Sequence, residues 1–167
     1  MGACMARVFL GLQAEVPPQR ERIVAAIEGL QSCGIRIIRA SSWFRSAPTE
    51  NSYGAIGLAV EADTTLDPRQ LRSICQGIER ILGRELGEEL GPAPIEIEIL
   101  FYNEEIVSDG DLHIPYPHLL RRGVMLASLA ELVPGMVHPV LGRTIGELFA
   151  ELPPERRPRR SGETTSS

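Results

Sequence analysis

The stretch Gly91-Pro92-Ala93-Pro94-Ile95-Glu96-Ile97-Glu98-Ile99-Leu100-Phe101-Tyr102 alternates strictly between isoleucine and glutamate over residues 95–98. A period of two is that of a β-strand, with the isoleucines on one face and the glutamates on the other. Side chains two apart on a strand lie about 6–7 Å from each other along it. That spacing suits two carboxylates sharing a pair of divalent cations about 4 Å apart, an arrangement used in phosphoryl-type transfer. A half-buried antiparallel strand with one wet face gives the same pattern. The alternation alone therefore leaves a metal site and a plain amphipathic strand both open.

Upstream of this strand the order of elements is regular. Residues 6–12 form a short apolar run that reads as a first strand. Pro17-Pro18 opens a helix whose apolar positions Ile23, Ala26, Ile27 and Leu30 follow the helical period, and Gly34 ends it. Residues 35–45 read as a long second strand, 51–54 as a turn, and 54–61 as a third strand. Asp67-Pro68-Arg69-Gln70 is a helix start, with an aspartate cap, proline at the first position and glutamine three after the cap. Leu71, Ile74, Cys75, Ile78, Ile81 and Leu82 form the expected buried stripe of that helix.

Downstream, short strands are expected at 106–107 and 112–114, then helices at about 119–132 and 144–152. Residues 153–167 carry proline, arginine, serine and threonine with no apolar period, which predicts a disordered tail after a domain spanning 1–152. The order β-α-β-β-α-β followed by helices is that of an α+β, ferredoxin-like core, an antiparallel sheet with helices packed on it.

The bulk properties narrow the chemistry. The chain has 167 residues, a formal charge of −5 and 43% hydrophobic residues, a balance suited to one globular domain with a real core. An isoelectric point near 5.3 argues against a nucleic-acid surface. No apolar run is long enough to span a bilayer, so the expectation is a soluble cytoplasmic protein. Cys4, Cys33 and Cys75 have neither disulfide nor zinc spacing, and His113, His118 and His138 show no ligand spacing. All 17 basic residues are arginine, so any basic contact to phosphate comes from a guanidinium.

Several segments together resemble 6-hydroxymethyl-7,8-dihydropterin pyrophosphokinases, folate-pathway enzymes that transfer pyrophosphate from ATP to a pterin hydroxymethyl group. Phe9-Leu10-Gly11-Leu12-Gln13 stands where that family has an apolar strand ending in Gly-Ser-Asn. Ser41-Ser42-Trp43-Phe44-Arg45-Ser46-Ala47-Pro48 is close to Ser-x-aromatic-aromatic-Arg-Thr-x-Pro, and Tyr53 with residues 58–61 matches the next strand. Gly91-Pro92 and the glutamate strand stand in place of Gly-Pro-Arg-x-Leu-Asp-Leu-Asp-Ile-Leu. Ile114-Pro115-Tyr116-Pro117, Arg122 and the residues up to Pro134 resemble the late Pro-His-Pro…Arg-x-Phe block.

The departures concentrate where the family does its chemistry. The metal-binding Asp-x-Asp becomes Glu96-x-Glu98, each carboxylate one methylene longer. The arginine before that strand is Ala93, and the tryptophan before Gly-Pro is Leu90. The pterin-bonding asparagine aligns with Ala55, the phosphate-contacting histidine with Tyr116, and the pterin-stacking aromatic with Val124. The family's arginine-bearing loop reads Arg84-Glu85-Leu86-Gly87-Glu88-Glu89-Leu90 here. Only Arg84 keeps its sign, and each carboxylate about 4 Å from a phosphate oxygen costs roughly 1 kcal/mol even in water.

By this resemblance Glu96 and Glu98 are the metal ligands. Arg84 and Arg122 are the catalytic phosphate contacts, and Gly11, Phe44, Tyr53, Ala55, Tyr116 and Val124 are the substrate-side positions. The implied small molecules are a pterin and ATP, with Mg2+ if the site is active. Neither nucleic acid nor membrane is an expected partner, and the expected state is a monomer or homodimer. Two functional readings follow. In one, the site is degenerate and weak or inactive in ATP chemistry. In the other, the protein is an active pyrophosphokinase with a glutamate-based metal site. An unrelated binding module on the same common fold would need all the ordered matches to be coincidence.

Overall fold

The computed structural model describes residues 4–83 and 93–161. A six-stranded antiparallel sheet is built from β1 (Ala6–Ala14), β2 (Arg36–Ala40), β3 (Phe44–Arg45), β4 (Ile56–Thr64), β5 (Glu96–Tyr102) and β8 (Arg159–Arg160). Its order is β5-β1-β4-β3-β8, with β2 also paired to β4. A separate hairpin joins β6 (Val107–Asp109) to β7 (Leu112–Ile114). The helices are α1 (Gln19–Ser32), α2 (Pro68–Gly83), α3 (Gly123–Leu132) and α4 (Ile145–Ala150). This is the ferredoxin-like arrangement, with a further helical layer added behind the sheet.

Both faces of the sheet are covered, which explains why β1 is apolar almost throughout. Val8, Leu10 and Leu12 join Ile23, Ala26 and Leu30 of α1 and Leu71, Cys75 and Ile78 of α2 in one core. Phe9 joins Met125, Leu126 and Leu129 of α3 and Ile145 and Leu148 of α4 in a second core on the opposite face. In β5 the register against β1 shifts between Phe9 and Leu10. Leu100 and Phe101 consequently both enter the second core, while Ile97 and Ile99 enter the first.

Local sequence explains most boundaries. Gly34 has φ of 86°, the left-handed value favoured just past a helix end. The Asp67 carboxylate accepts from the Gln70 N–H at 2.8 Å, and the Gln70 side chain accepts from the Asp67 N–H at 2.9 Å, a reciprocal cap for α2. Thr144 and Glu147 cap α4 in the same way.

Four expectations need correction. The single strand over 35–45 is two strands: the paired register ends at Ala40, Ser41 bonds Ala59 through its N–H and its hydroxyl, and Ser42 bonds away from the sheet. The Ser42 N–H and hydroxyl both donate to the Glu131 carboxylate, at 2.6 and 2.9 Å. The third helix begins at Gly123, after a 3-10 turn over Leu119–Arg121. Ile81 is 63% exposed and lies off the buried stripe, whose last turn is filled by Leu82. The fourth correction concerns residues 153–161 of the expected tail, whose residues 162–167 lie outside the described residues. Pro154–Arg156 form a 3-10 turn, and β8 pairs with β3 through Phe44↔Arg160 and Arg45↔Arg159. Main-chain and guanidinium bonds hold this segment, so it needs no apolar period to be ordered. Among the described residues, no helix is long and apolar enough to cross a membrane.

Candidate active site

The expectation that Glu96 and Glu98 share a face is met. Both side chains line a cleft of about 580 Å³ with Arg72 of α2, Asp111 and His113 of the β6–β7 hairpin, and Tyr116, His118, Arg121 and Arg122. In register, Glu96 stands opposite Gln13 and Glu98 opposite Gly11 on β1. β5 is an edge strand, and its outward Ile97 N–H would be unpaired. The Glu79 carboxylate of α2 reaches it at 2.7 Å.

Arg122 dominates the charge pattern of the cleft. Its Nη2 donates to both oxygens of Glu96 at 2.6 Å, and its Nε donates to the Tyr116 hydroxyl at 3.2 Å. The Arg122 and Glu96 side chains are 22% and 24% exposed, so this pair is largely shielded from water. Among the described residues Glu98 has no such partner. Burial, followed by the nearby charges of Glu79 and Glu96, pushes its carboxyl up to about 7 against the partial relief from Arg72 and Arg122. Glu79 is shifted upward too, by burial first, although the Ile97 N–H opposes that shift.

This makes a prediction for Arg122→Met. The substitution removes the one bidentate partner of Glu96 and one of the two cations that hold Glu98 down. The Glu98 titration midpoint, followed by carboxyl NMR, is expected to move above about 7. An unchanged or lowered midpoint would contradict the assigned electrostatics.

The substrate-side positions divide into two groups. Phe44, Ala55 and Val124 pack on one another with Ala127 in a small apolar cluster. Ala55 and Val124 also edge a crevice of about 440 Å³, with Gln13, Gly54, Ser46, Gly123 and residues 155–158 around it. Gly11 lies beneath α3, where an added Cβ would meet the Met125 side chain at 3.0 Å. Tyr53 is 66% exposed on the turn before Gly54. Tyr116 is buried and faces the carboxylate cleft, edge-on to His118 with 5.7 Å between ring centroids. Arg84, Leu90, Gly91 and Pro92 lie outside the described residues.

Sequence reasoning missed Arg72, Asp111, His113, His118 and Arg121 as cleft residues, and Glu79 as a neighbour of Glu98. The histidines had one available cue, since they flank Pro115-Tyr116-Pro117. A larger groove of about 1040 Å³, with Arg7, Asn103, Ile106 and Met136 in its walls, lies at the other end of β1 and includes none of the predicted positions.

Comparison with known proteins gives this arrangement its family. The family described as 7,8-dihydro-6-hydroxymethylpterin-pyrophosphokinase (HPPK) matches residues 9–134. The chain belongs to this family. It is 34% identical over 154 residues to the 2-amino-4-hydroxy-6-hydroxymethyldihydropteridine pyrophosphokinase of Methylorubrum extorquens, covering 90% of this chain and 96% of the relative. The Aquifex aeolicus protein of the same name is 30% identical over 149 residues, covering 88% and 92%. In fold the chain is similar to Plasmodium falciparum HPPK-DHPS, with a TM-score of 0.71 at 14% identity. That likeness covers 90% of this chain, which spans 45% of the larger protein. HPPK proteins are ATP-dependent kinases of the folate pathway, and the ordered motif matches thus reflect common descent.

Proposed function

We propose that this chain is a divergent HPPK-family protein that retains a heterocycle-sized crevice and has lost efficient pyrophosphoryl transfer from Mg-ATP. The observation that carries the reading is the pair of hydrogen bonds that Arg122 donates to the two Glu96 carboxylate oxygens. Magnesium demands near-octahedral oxygen ligation at about 2.0–2.1 Å. Here both oxygens of one carboxylate are already bonded to a guanidinium. Burial and the neighbouring carboxylates push the other carboxyl, Glu98, up to about 7. To hold two magnesium ions the pair would first have to give up the bonds between Glu96 and Arg122.

The polar losses act in the same direction. Phosphoryl transfer depends on positioning and charge stabilisation, and Ala55, Ala93 and Val124 contribute no polar or stacking group. A cytoplasmic setting is part of the same proposal, and three unpaired cysteines suit a reducing compartment.

The second reading is an active, Mg-ATP-dependent pyrophosphokinase that uses Glu96 and Glu98 as metal ligands and a pterin as acceptor. It draws support from the two carboxylates facing one cleft together with three arginines. Calorimetric titration with Mg2+ and a non-hydrolysable methylene analogue of ATP separates the two. The divergent reading predicts a Kd weaker than about 1 mM. Micromolar, magnesium-dependent binding would overturn it.

A further inference from the structure

One wall of the 440 Å³ crevice comes from a part of the chain that the family match, which ends at residue 134, does not reach. Residues 155–158 line the crevice together with Gln13, Ala55 and Val124. The segment is fastened at both ends. Toward its start, Arg157 donates to the carbonyls of Leu152 and Ala150 at 3.0 and 2.7 Å, and Arg156 donates to the Arg121 carbonyl at 3.3 Å. Toward its finish, β8 extends the sheet from β3, the Ser161 N–H donates to the Trp43 carbonyl at 2.8 Å, and Arg160 donates to Glu131 at 2.6 Å. The Arg20 guanidinium bonds the Ser161 hydroxyl and lies over the Trp43 ring, 5.1 Å from its centroid.

Between these fastenings the segment passes against α3 at Gly123. A Cβ built there would stand 2.7 Å from the Arg156 carbonyl oxygen and 3.4 Å from Pro158. Real Cβ atoms do not approach backbone oxygen that closely, so the wall seats fully only against glycine. Residues 159 and 160 are exposed, and the bonds holding them are polar and edge-on. Such an element can open without unfolding either core.

We propose that residues 153–161 form a wall, seated on Gly123, that controls entry to the crevice and sets which planar heterocycle it admits. The inference rests on the reading of this crevice as the heterocycle site. It assigns the selecting role to the chain's own terminal segment, because Ala55 and Val124 offer the crevice only small apolar surface.

The test uses the full chain carrying Cys4→Ser, Cys33→Ser and Ser46→Cys, the last placing a thiol on the crevice lining. Its reaction with an aromatic disulfide reagent is timed alone, with Gly123→Ala, and with Ser161→Pro, which removes the N–H bonded to Trp43. Buried Cys75, whose thiol burial pushes up to about 12, stays unreactive in a folded chain and serves as the internal control. Each substitution is expected to speed labelling of the crevice thiol about ten-fold or more while Cys75 stays silent. Unchanged rates in both would overturn the proposal. In parallel, fluorescent 6-hydroxymethylpterin is titrated into the same chains, with weakened binding expected in both. Failure to bind even the unsubstituted protein would sink the pterin reading and leave the labelling to decide the wall.

Discussion

Gly57→Val is expected to destabilise the protein by about 3 kcal/mol, enough to remove much of the stability of an ordinary domain. Gly57 pairs with Gln13 across the central strands β4 and β1. A Cβ at this position would lie 2.4 Å from the Leu12 carbonyl oxygen, 3.2 Å from the Gln13 Cα and 3.0 Å from Val124. Two of these obstacles are backbone in the middle of the sheet and cannot rotate away. Gly11 offers the contrast, because an added methyl there meets chiefly Met125, whose flexible side chain can move. Urea unfolding should show the Gly57→Val midpoint falling by more than about 1 M with an unchanged slope, and Gly11→Ala shifting far less. Equal midpoints for the two variants would show that the approach of β1 to Gly57 is looser than described.

Glu98→Gln is expected to stabilise the protein at alkaline pH by roughly 2–3 kcal/mol and to have little effect near pH 4. The Glu98 carboxyl titrates near 7 in the folded protein, against a reference value of 4.5. Between those values the folded state keeps a proton that the unfolded state has released. Stability therefore falls as pH rises from about 4.5 to about 7, and stays lower above that range. Glutamine fills the same space and never ionises, so the fall contributed by this residue disappears. Denaturation midpoints of the two proteins across pH 4 to about 8.5 provide the check. Parallel curves would mean that Glu98 is hydrated and not desolvated between Glu79 and Glu96.

Most of the fold was legible because its determinants are local. The Asp67 cap, Gly34 and the isoleucine periods of α2 and β5 each act within a few residues. The break at Ser41-Ser42 was not legible, since its cause is Glu131, about ninety residues away. The order of residues 153–161 was hidden for a related reason. A strand fastened at a sheet edge by main-chain and arginine bonds leaves no apolar pattern to read.

The site divides along the same line. A period of two placed both glutamates on one face. The capture of Glu96 by Arg122, 26 residues later, depends on how the 3-10 turn and α3 bring Arg122 over β5. The apolar cluster of Phe44, Ala55 and Val124 likewise joins three separate segments. Sequence showed which polar groups had been lost, and the fold shows how the remaining side chains close on one another.

The most direct measurement is AMP release from Mg-ATP in the presence of 6-hydroxymethyl-7,8-dihydropterin, run beside a Glu96→Ala/Glu98→Ala control. The account predicts that the folded wild-type protein releases AMP no faster than the control. Turnover that is robust in the wild type and disappears in the control would contradict it, and would make Glu96 and Glu98 the working centre of an active pyrophosphokinase.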